Sequence, residues 1–286
     1  MKQIVWLASY PKSGNTWLRV FLTNYLRTDG RPVDINALDL QMNAADRRLL
    51  DDALVVECSD LTEEELAWYR PEAYRILARR SRELLYLKIH DAYTQSADGE
   101  PLIPADATRA AIYIVRNPLD VSTSFAHHYA ISIDAAIERM GSEVGMLNER
   151  IRLLPHVKQR LLSWSRHVSS WINQTAIPVH LIRYEDMHRE PEETFGQAIR
   201  FLGIPYDAER VRTAARFSSF QQLREQEQVS GFREKPTRAE AFFRVGRANS
   251  WSETLTEAQK RKTIEDHAPM MRQLRYLGGD GLPRIC

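Results

Sequence analysis

Short, largely apolar runs alternate with amphipathic segments along the chain. These runs occupy residues 4–8, 84–90, 110–115 and 179–184. Apolar runs of this length are typical of buried strands in a parallel sheet, while the intervening segments repeat their apolar positions at helical spacing. The pattern predicts an α/β fold in which helices cover both faces of a central parallel sheet.

The intervals between the runs contain the predicted helices and three excursions from the sheet. Thr62 and Glu65 have capping-box spacing, which marks a helix start. Helices are predicted from Trp17, from residue 62, and over 71–82, 119–129, 131–154 (interrupted near 141–145), 157–172, 191–202, 207–215 and 256–277. Without a repeat or linker, residues 1–286 are predicted to form a single domain. Its excursions are a helical stretch at 30–82, a surface loop at 91–107 and the segment 222–243, whose charged part (222–241) is expected to be mobile and to order over ligands.

Composition narrows the class of protein. The 286 residues are 43% hydrophobic and 27% charged, with a formal net charge of +1. A charge this small creates no broad field for nucleic acid or an anionic membrane, so neither partner is expected. Cys58 and Cys286 form no disulfide framework or metal motif. No signal peptide is evident and no apolar run approaches the roughly 20 residues that span a bilayer, so a cytoplasmic protein is expected. Whether the chain forms a homodimer is left open.

The first strand leads into a loop with the features of an anion site. Residues 10–17 read Tyr-Pro-Lys-Ser-Gly-Asn-Thr-Trp, and helical spacing resumes at Trp17. Free N–H groups and the positive end of the helix dipole meet at such a helix start. Lys12 adds a positive charge there, and Ser13 and Thr16 add hydroxyl donors.

The loop is not a Walker A motif, because its lysine precedes its only glycine. It closely resembles the 5'-phosphosulfate loop of sulfotransferases that use 3'-phosphoadenosine 5'-phosphosulfate (PAPS). The resemblance implies a P-loop-like sheet and a donor site made by the following residues: Lys12, Ser13, Gly14, Asn15, Thr16 and Trp17. It also predicts a separate site for the 3'-phosphate at the end of another strand.

The second apolar run ends in Lys88-Ile89-His90, with Lys88 and His90 on one face of the strand. Ligands of open parallel sheets bind at this edge. The resembled family carries Lys-x-His here, with the histidine as general base, which implies that role for His90. Imidazole suits the task because it titrates near neutral pH. The role of Asp91 stays open between orienting the ring and beginning the loop.

The third run is followed by Arg116-Asn-Pro-Leu-Asp-Val-Ser-Thr-Ser124. An arginine offers a planar fork of donors suited to phosphate, and a serine adds a hydroxyl. Both residues match the 3'-phosphate contacts in the family pattern Arg-Asn-Pro-x-Asp-x-x-x-Ser, in the order that the first loop predicts. His127 and His128 follow without an assigned role.

Shorter matches extend the resemblance to residue 251. It implies a place near the adenine for Tyr184, and nucleotide-base contacts for Ser218 and Phe220, whose ring could stack. Arg244 and Gly246, with Trp251, match the family segment Arg-Lys-Gly-x-x-Gly-Asp-Trp. The chain departs from that segment at three positions: Val245, Asn249 and Ser250. The change at 245 removes a cation, for which Arg247 is a conceivable substitute.

The resemblance implies sulfuryl transfer from PAPS to the hydroxyl of a small acceptor, with adenosine 3',5'-bisphosphate (PAP) as product. His90 would take the acceptor proton, Lys12 would stabilise the leaving oxygen, and Lys88 would stabilise the sulfuryl oxygens. No metal is required, and no acidic cluster has metal-ligand spacing. The similarity to bacterial enzymes of hydroxylated natural products, including glycopeptides, suggests a phenolic acceptor. Two alternatives stay open: a P-loop small-molecule kinase using ATP and magnesium, and an inactive nucleotide-binding scaffold.

Overall fold

The computed structural model describes residues 2–40, 42–96, 98–147, 155–237 and 239–285. The chain falls into two compact units. The first comprises Met1–Tyr10, Met42–Tyr113 and Ser142–Leu181, and the second comprises Pro11–Gln41, Ile114–Gly141 and Ile182–Cys286. Each unit is therefore assembled from segments that are distant in the sequence.

The strands form a central parallel sheet flanked by helices, as predicted. The strands are β1 (Ile4–Ser9), β2 (Leu85–Ile89), β3 (Thr108–Val115), β4 (Met146–Leu147), β5 (Gln159–Arg160) and β6 (Val179–Arg183). The order in the main sheet is β2-β1-β3-β6, while β4 and β5 form an antiparallel pair. The parallel register runs from Ile4 opposite Leu85 to Ala8 opposite Ile89. This register brings the polar ends of β1 and β2 to the same edge of the sheet.

The helices follow the predicted pattern with some differences. They are α1 (Asn15–Leu26), α2 (Arg47–Leu54), α3 (Glu63–Arg80), α4 (Pro118–Tyr129), α5 (Ile133–Gly141), α6 (Trp164–Ile172), α7 (Tyr184–Arg189), α8 (Pro191–Phe201), α9 (Ala208–Phe217), α10 (Phe220–Ser230), α11 (Trp251–Thr254) and α12 (Glu257–Gln273). None of the described helices is long and apolar enough to cross a lipid bilayer.

Each unit has its own aromatic packing. In the first unit, the fully buried Trp6 donates from Nε1 to Thr108 Oγ1 at 2.9 Å, and its ring meets that of Tyr74 edge-on at 5.0 Å. In the second unit, Phe21 of α1 stacks on Phe195 of α8 with ring centroids 4.1 Å apart. Aromatic pairs of this kind add to the gain from burying apolar surface. They hold α3 against β1 within the first unit and α1 against α8 within the second.

Helix α3 begins as predicted but continues past the expected break. Thr62 Oγ1 accepts from Glu65 N at 3.2 Å, and Glu65 Oε2 accepts from Thr62 N at 2.8 Å. The two helices expected on either side of Pro71 are one helix with this proline inside it. Pro71 removes one helical hydrogen bond, but the neighbouring Tyr74 is fully buried. Packing of this face therefore outweighs the local preference of proline.

Replacing Thr62 by alanine should lower the free energy of unfolding by about 1 kcal/mol, since it removes the N-cap acceptor. For a chain of this size that corresponds to a fall of about 2–4 °C in the melting temperature. Thermal unfolding followed by circular dichroism measures it. Thr256, which caps α12 in the same way with Gln259 as partner, provides the comparison variant. An unchanged melting temperature for Thr62→Ala would contradict the contribution of this cap.

Three further expectations need correction. The helix expected over 131–154 ends at Gly141, where an interruption was predicted, but it does not resume at residue 146, because Met146–Leu147 is a strand; residues 148–154 lie outside the described residues. The helix expected over 157–172 begins only at Trp164, because Gln159–Arg160 pairs with Met146–Leu147. The segment expected to be mobile begins within α10, which buries Leu223 in an apolar cluster with Val33 and Phe232. Local composition did not reveal these tertiary partners.

Candidate active site

The loop between β1 and α1, in the second unit, has an unusual backbone. Lys12 has φ 68° and Gly14 has φ 105°. Left-handed residues in such a loop turn successive N–H groups toward one point and form a concave anion site. A side chain at Gly14 would also collide with Tyr184, since a Cβ atom there would lie 2.7 Å from Tyr184 Cδ2. Glycine is thus required at this position on two grounds.

Buried donors surround the start of α1. Gly14 is the N-cap, so no side chain caps the helix. Among the described residues, Ser13 Oγ and Trp17 Nε1 are buried without a hydrogen-bond partner. Such atoms cost free energy unless something accepts from them. Together with the helix dipole they fit an anionic group such as the 5'-phosphosulfate of PAPS. Asn15 and Thr16 are buried in the same turn.

Lys12 has partners that the sequence did not reveal. Its Nζ lies 3.1 Å from Nδ1 of His128 and 4.1 Å from the centroid of the Phe242 ring. A charged ammonium group can only donate, so His128 Nδ1 accepts this hydrogen bond. His128, which had no assigned role, therefore holds the lysine predicted to act on the leaving oxygen.

Arg116 lies at the end of β3, and its side chain is nearly buried. Its Nη1 donates to the Lys12 carbonyl at 3.3 Å and its Nη2 donates to the Arg247 carbonyl at 3.4 Å. The guanidinium lies 4.1 Å from the centroid of the Tyr184 ring, a cation–π contact. Its Nε atom is buried and has no hydrogen-bond partner in the described part of the chain. Arg116 is thus held in one orientation while its Nε–H group has no acceptor, and such an arrangement suits a phosphate.

A buried carboxylate, which the sequence analysis did not single out, organises the segment after Arg247. Asp120 is fully buried on α4. It accepts from Asn249 N at 2.7 Å, Ser250 Oγ at 2.9 Å and Trp251 N at 3.0 Å. The residues that differ from the family pattern at 249 and 250 therefore anchor this segment to the helix that carries Ser124. The Arg247 guanidinium pairs instead with Glu253.

The other predicted nucleotide contacts also lie in the second unit. Ser124 is half-buried on α4 and Arg244 is exposed. Ser218 is buried, and its hydroxyl donates to the Ala214 carbonyl at 2.8 Å. The Phe220 ring packs so closely on Gly246 that a Cβ atom there would lie 2.0 Å from Phe220 Cδ2. Gly246 is therefore required by packing, whatever its relation to a ligand.

The first unit contains Lys88 on β2 and His90 directly after it. His90 Nδ1 lies 2.8 Å from the Ser9 carbonyl oxygen, which can only accept. Nδ1 therefore carries the proton, which makes Nε2 the ring nitrogen that can accept a proton. The backbone of Lys88 also pairs with residues 42–44. Lys88 N donates to the Met42 carbonyl and Ala44 N donates to the Lys88 carbonyl, both at 2.9 Å.

A second, fully buried histidine supports the backbone of the first. His167 Nε2 donates to the His90 carbonyl at 3.0 Å, and its Nδ1 accepts from the Tyr113 hydroxyl at 2.8 Å. Burial lowers the pKa of His167 to about 4. The ring is therefore neutral at physiological pH, in the tautomer that both contacts need. No sequence motif marks this residue; it belongs to the amphipathic pattern of α6.

This histidine should make folding sensitive to mild acid. Its folded pKa of about 4 lies below the unfolded value of 6.5, so the unfolded chain binds the proton more tightly. The stability associated with neutral His167 is complete above pH 6.5 and is lost as the pH falls toward 4. When the pH falls from 7 to 5, the wild type should therefore lose about 2 kcal/mol more of its unfolding free energy than His167→Gln does. Urea denaturation at the two pH values tests this, and an identical loss in both proteins would contradict it.

Comparison with known proteins identifies the family. A model of the sulfotransferase domain matches residues 2–275. The chain belongs to the sulfotransferase domain family. Its sequence is 26% identical over 175 residues to sulfotransferase 1A1 of Canis lupus familiaris, covering 56% of this chain and 54% of that protein. It is 29% identical over 207 residues to sulfotransferase 4A1 of Mus musculus, covering 71% and 61%. The chain thus spans about half the length of the first of these relatives.

Two solved structures with bound PAP share the fold. Mouse sulfotransferase SULT7A1 complexed with PAP has a TM-score of 0.60 at 21% identity, covering 95% of this chain and 85% of that one. Retinol dehydratase in complex with androsterone and PAP has a TM-score of 0.65 at 17% identity, covering 95% and 81%. At these identities the likeness supports the fold. No cluster of three or more histidine, cysteine, aspartate or glutamate side chains able to hold a metal occurs among the described residues.

Proposed function

We propose that this sulfotransferase-family protein transfers the sulfuryl group of PAPS to a hydroxyl of a small acceptor. The observation that carries the proposal is the loop at residues 11–17, with its left-handed Lys12 and Gly14 and its buried, unpartnered donors Ser13 and Trp17. These groups suit the phosphosulfate, and the oriented Arg116 with Ser124 suits the 3'-phosphate. When bound, PAPS supplies an activated sulfuryl group with PAP as the leaving group.

The residues of this chain would then act by positioning and charge stabilisation. His90 Nε2 accepts the proton of the acceptor hydroxyl, since Nδ1 is already committed to the Ser9 carbonyl. Lys12 stabilises the negative charge that develops on the leaving oxygen. For that it exchanges its contact with His128 for one with the bridging oxygen. Lys88 stabilises the sulfuryl oxygens.

Around the nucleotide, Tyr184 and Phe220 supply aromatic surface near the adenine, with Ser218 beside it. Arg244 and Gly246 line the 3'-phosphate side. For the acceptor we propose a phenol or a similar small hydroxylated compound. The structural neighbour whose complex contains androsterone is in keeping with a small acceptor.

Ligand-dependent thermal unfolding tests the donor assignment. PAP at about 100 times its dissociation constant should raise the free energy of unfolding by about 2.7 kcal/mol and the melting temperature by about 5 °C or more. ATP with magnesium should shift it far less. A large shift with ATP and magnesium but none with PAP would favour the kinase alternative.

An activity assay then separates an enzyme from a scaffold. The protein is incubated with PAPS and a panel of phenols, and sulfated product and PAP are quantified by mass spectrometry. Product should form in amounts equal to PAP. Tight PAP binding without product from any phenol of the panel would favour the inactive-scaffold alternative.

A further inference from the structure

Arg70 of α3 and Asp91, the residue after His90, form a buried ion pair in the first unit. Arg70 is 5% exposed and Asp91 is 1% exposed. The guanidinium and the carboxylate meet through two parallel hydrogen bonds, Nη1 to Oδ1 at 3.1 Å and Nη2 to Oδ2 at 2.7 Å. This bidentate geometry fixes the carboxylate in both position and orientation.

Every remaining donor of Arg70 is also used. Its Nε and Nη2 donate to the Tyr74 hydroxyl at 3.1 and 3.0 Å, and Nη1 also donates to the Lys158 carbonyl at 3.4 Å. Asp91 Oδ1 additionally accepts from Arg160 N at 3.0 Å. The Arg70–Asp91 pair therefore joins α3, the end of β2 and β5 in one satisfied network.

One branch of this network holds the backbone around His90. Ala92 N donates to the Arg160 carbonyl at 2.7 Å, and Trp171 Nε1 donates to the Asp91 carbonyl at 3.0 Å. With the His167 contact to the His90 carbonyl, every peptide group from 90 to 92 is tied to another element. The imidazole therefore projects from a rigid support.

A second branch reaches the backbone of Lys88. The Tyr74 hydroxyl, which accepts from Arg70, donates to the Ala44 carbonyl at 2.9 Å. Ala44 N in turn donates to the Lys88 carbonyl at 2.9 Å. Arg70 is thus linked through hydrogen bonds to the backbone at both Lys88 and His90.

We propose that Arg70 and Asp91 are positioning residues that hold Lys88 and His90 in place for the reaction. The assignment rests on the proposed function for the roles of those two residues. A buried ion pair contributes little to stability compared with apolar groups of similar volume, because both charges lose their hydration. Its value here is geometric, since a small displacement of a catalytic group can cost up to about 100-fold in rate. This answers the question that the sequence left open for Asp91.

The double variant Arg70→Met/Asp91→Leu tests the proposal without leaving a buried charge unpaired. It should fold and bind PAP as tightly as the wild type, because the residues assigned to PAP lie in the second unit. Turnover should fall by about 10- to 100-fold, with little change in the KM for PAPS. Hydrogen exchange of the backbone over residues 84–95, measured by mass spectrometry, should be faster than in the wild type.

A matched exposed pair provides the control. Arg79 and Glu72, also on α3, meet at 2.7 Å but are 58% and 46% exposed. Glu72→Gln should leave turnover and exchange at 84–95 unchanged. A folded double variant with wild-type turnover would overturn the proposal, as would unchanged exchange at 84–95. If the wild type transferred no sulfuryl group, the proposed function itself would fail, and the exchange measurement would still report whether the pair holds this segment.

Chemical rescue gives an independent readout. Arg70 and Asp91 both line a pocket of about 600 Å³ in the first unit, which is wide enough to admit a small carboxylate. In Asp91→Gly, added formate should occupy the carboxylate position beside Arg70 and restore turnover severalfold, while chloride at equal ionic strength should not. Full turnover of Asp91→Gly without formate would overturn the proposal.

Discussion

Replacing His90 by alanine should lower the turnover of sulfuryl transfer at least about 100-fold, because an alcohol or phenol attacks poorly while it keeps its proton. The hydrogen bond from Nδ1 to the Ser9 carbonyl leaves Nε2 as the only ring atom able to accept that proton. Affinity for PAP should be unchanged, since the residues assigned to it are all in the second unit. Steady-state kinetics and a calorimetric titration with PAP measure the two quantities separately.

His180 on β6 offers a matched control. It is a half-buried histidine of the first unit. His180→Ala makes the same truncation on a strand that β3 separates from β1 and β2. Its turnover should stay within a few-fold of the wild type. If His90→Ala transferred sulfuryl groups at the wild-type rate, His90 could not be the general base. A loss of PAP affinity equal to the loss of turnover would point to a binding role instead.

The affinity for PAP should fall about 10- to 100-fold in Arg116→Ala, as expected when charge-assisted hydrogen bonds to a phosphate are lost. Arg116 is held by the Tyr184 ring and by two carbonyl groups, so its fork is pre-oriented. Arg116→Lys should show an intermediate loss, because lysine keeps the charge without the planar fork. Titration calorimetry at fixed ionic strength measures the three affinities.

Arg247 supplies the informative comparison. Its guanidinium is exposed and paired with Glu253, and only its carbonyl meets Arg116. Arg247→Ala should therefore change PAP affinity less than about threefold, which is within the range of surface ion pairs. A loss as large as that of Arg116→Ala would mean that Arg247 replaces the family lysine missing at residue 245. Equal affinity of the wild type and Arg116→Ala would contradict the 3'-phosphate assignment.

Much of the fold was predictable because its signals are local. The four apolar runs became strands of the central sheet, and the Thr62–Glu65 spacing became a capping box. The order Tyr-Pro-Lys-Ser-Gly-Asn-Thr-Trp indicated both the strand-loop-helix and the family, which the domain match confirms. Such features depend on residues that are close together in the chain, so a single sequence is enough to predict them.

The failures share a physical cause. Pro71 was expected to separate two helices, and the charged segment 222–241 was expected to be mobile. Pro71 instead lies inside α3, and the segment begins within α10. The buried faces of these two helices decide their structure. Residues 159–160 were expected to be helical but pair with Met146–Leu147. In each case packing or pairing with a distant segment outweighed local preference, which amounts to less than about 1 kcal/mol for an ordinary residue and to about 3 kcal/mol for a proline inside a helix.

The sequence by itself determined the sheet, the anion loop and the residue types offered for chemistry, since these depend on spacing and composition. Only the tertiary structure decided which partners hold these residues. His128 hydrogen-bonds Lys12, Asp120 accepts from residues 249–251, and Arg70 pairs with Asp91. These partners are separated by up to more than a hundred residues in the chain, and none forms a motif. Hydrogen bonds and burial act through space, so their effect on a catalytic group becomes visible only when the chain is folded.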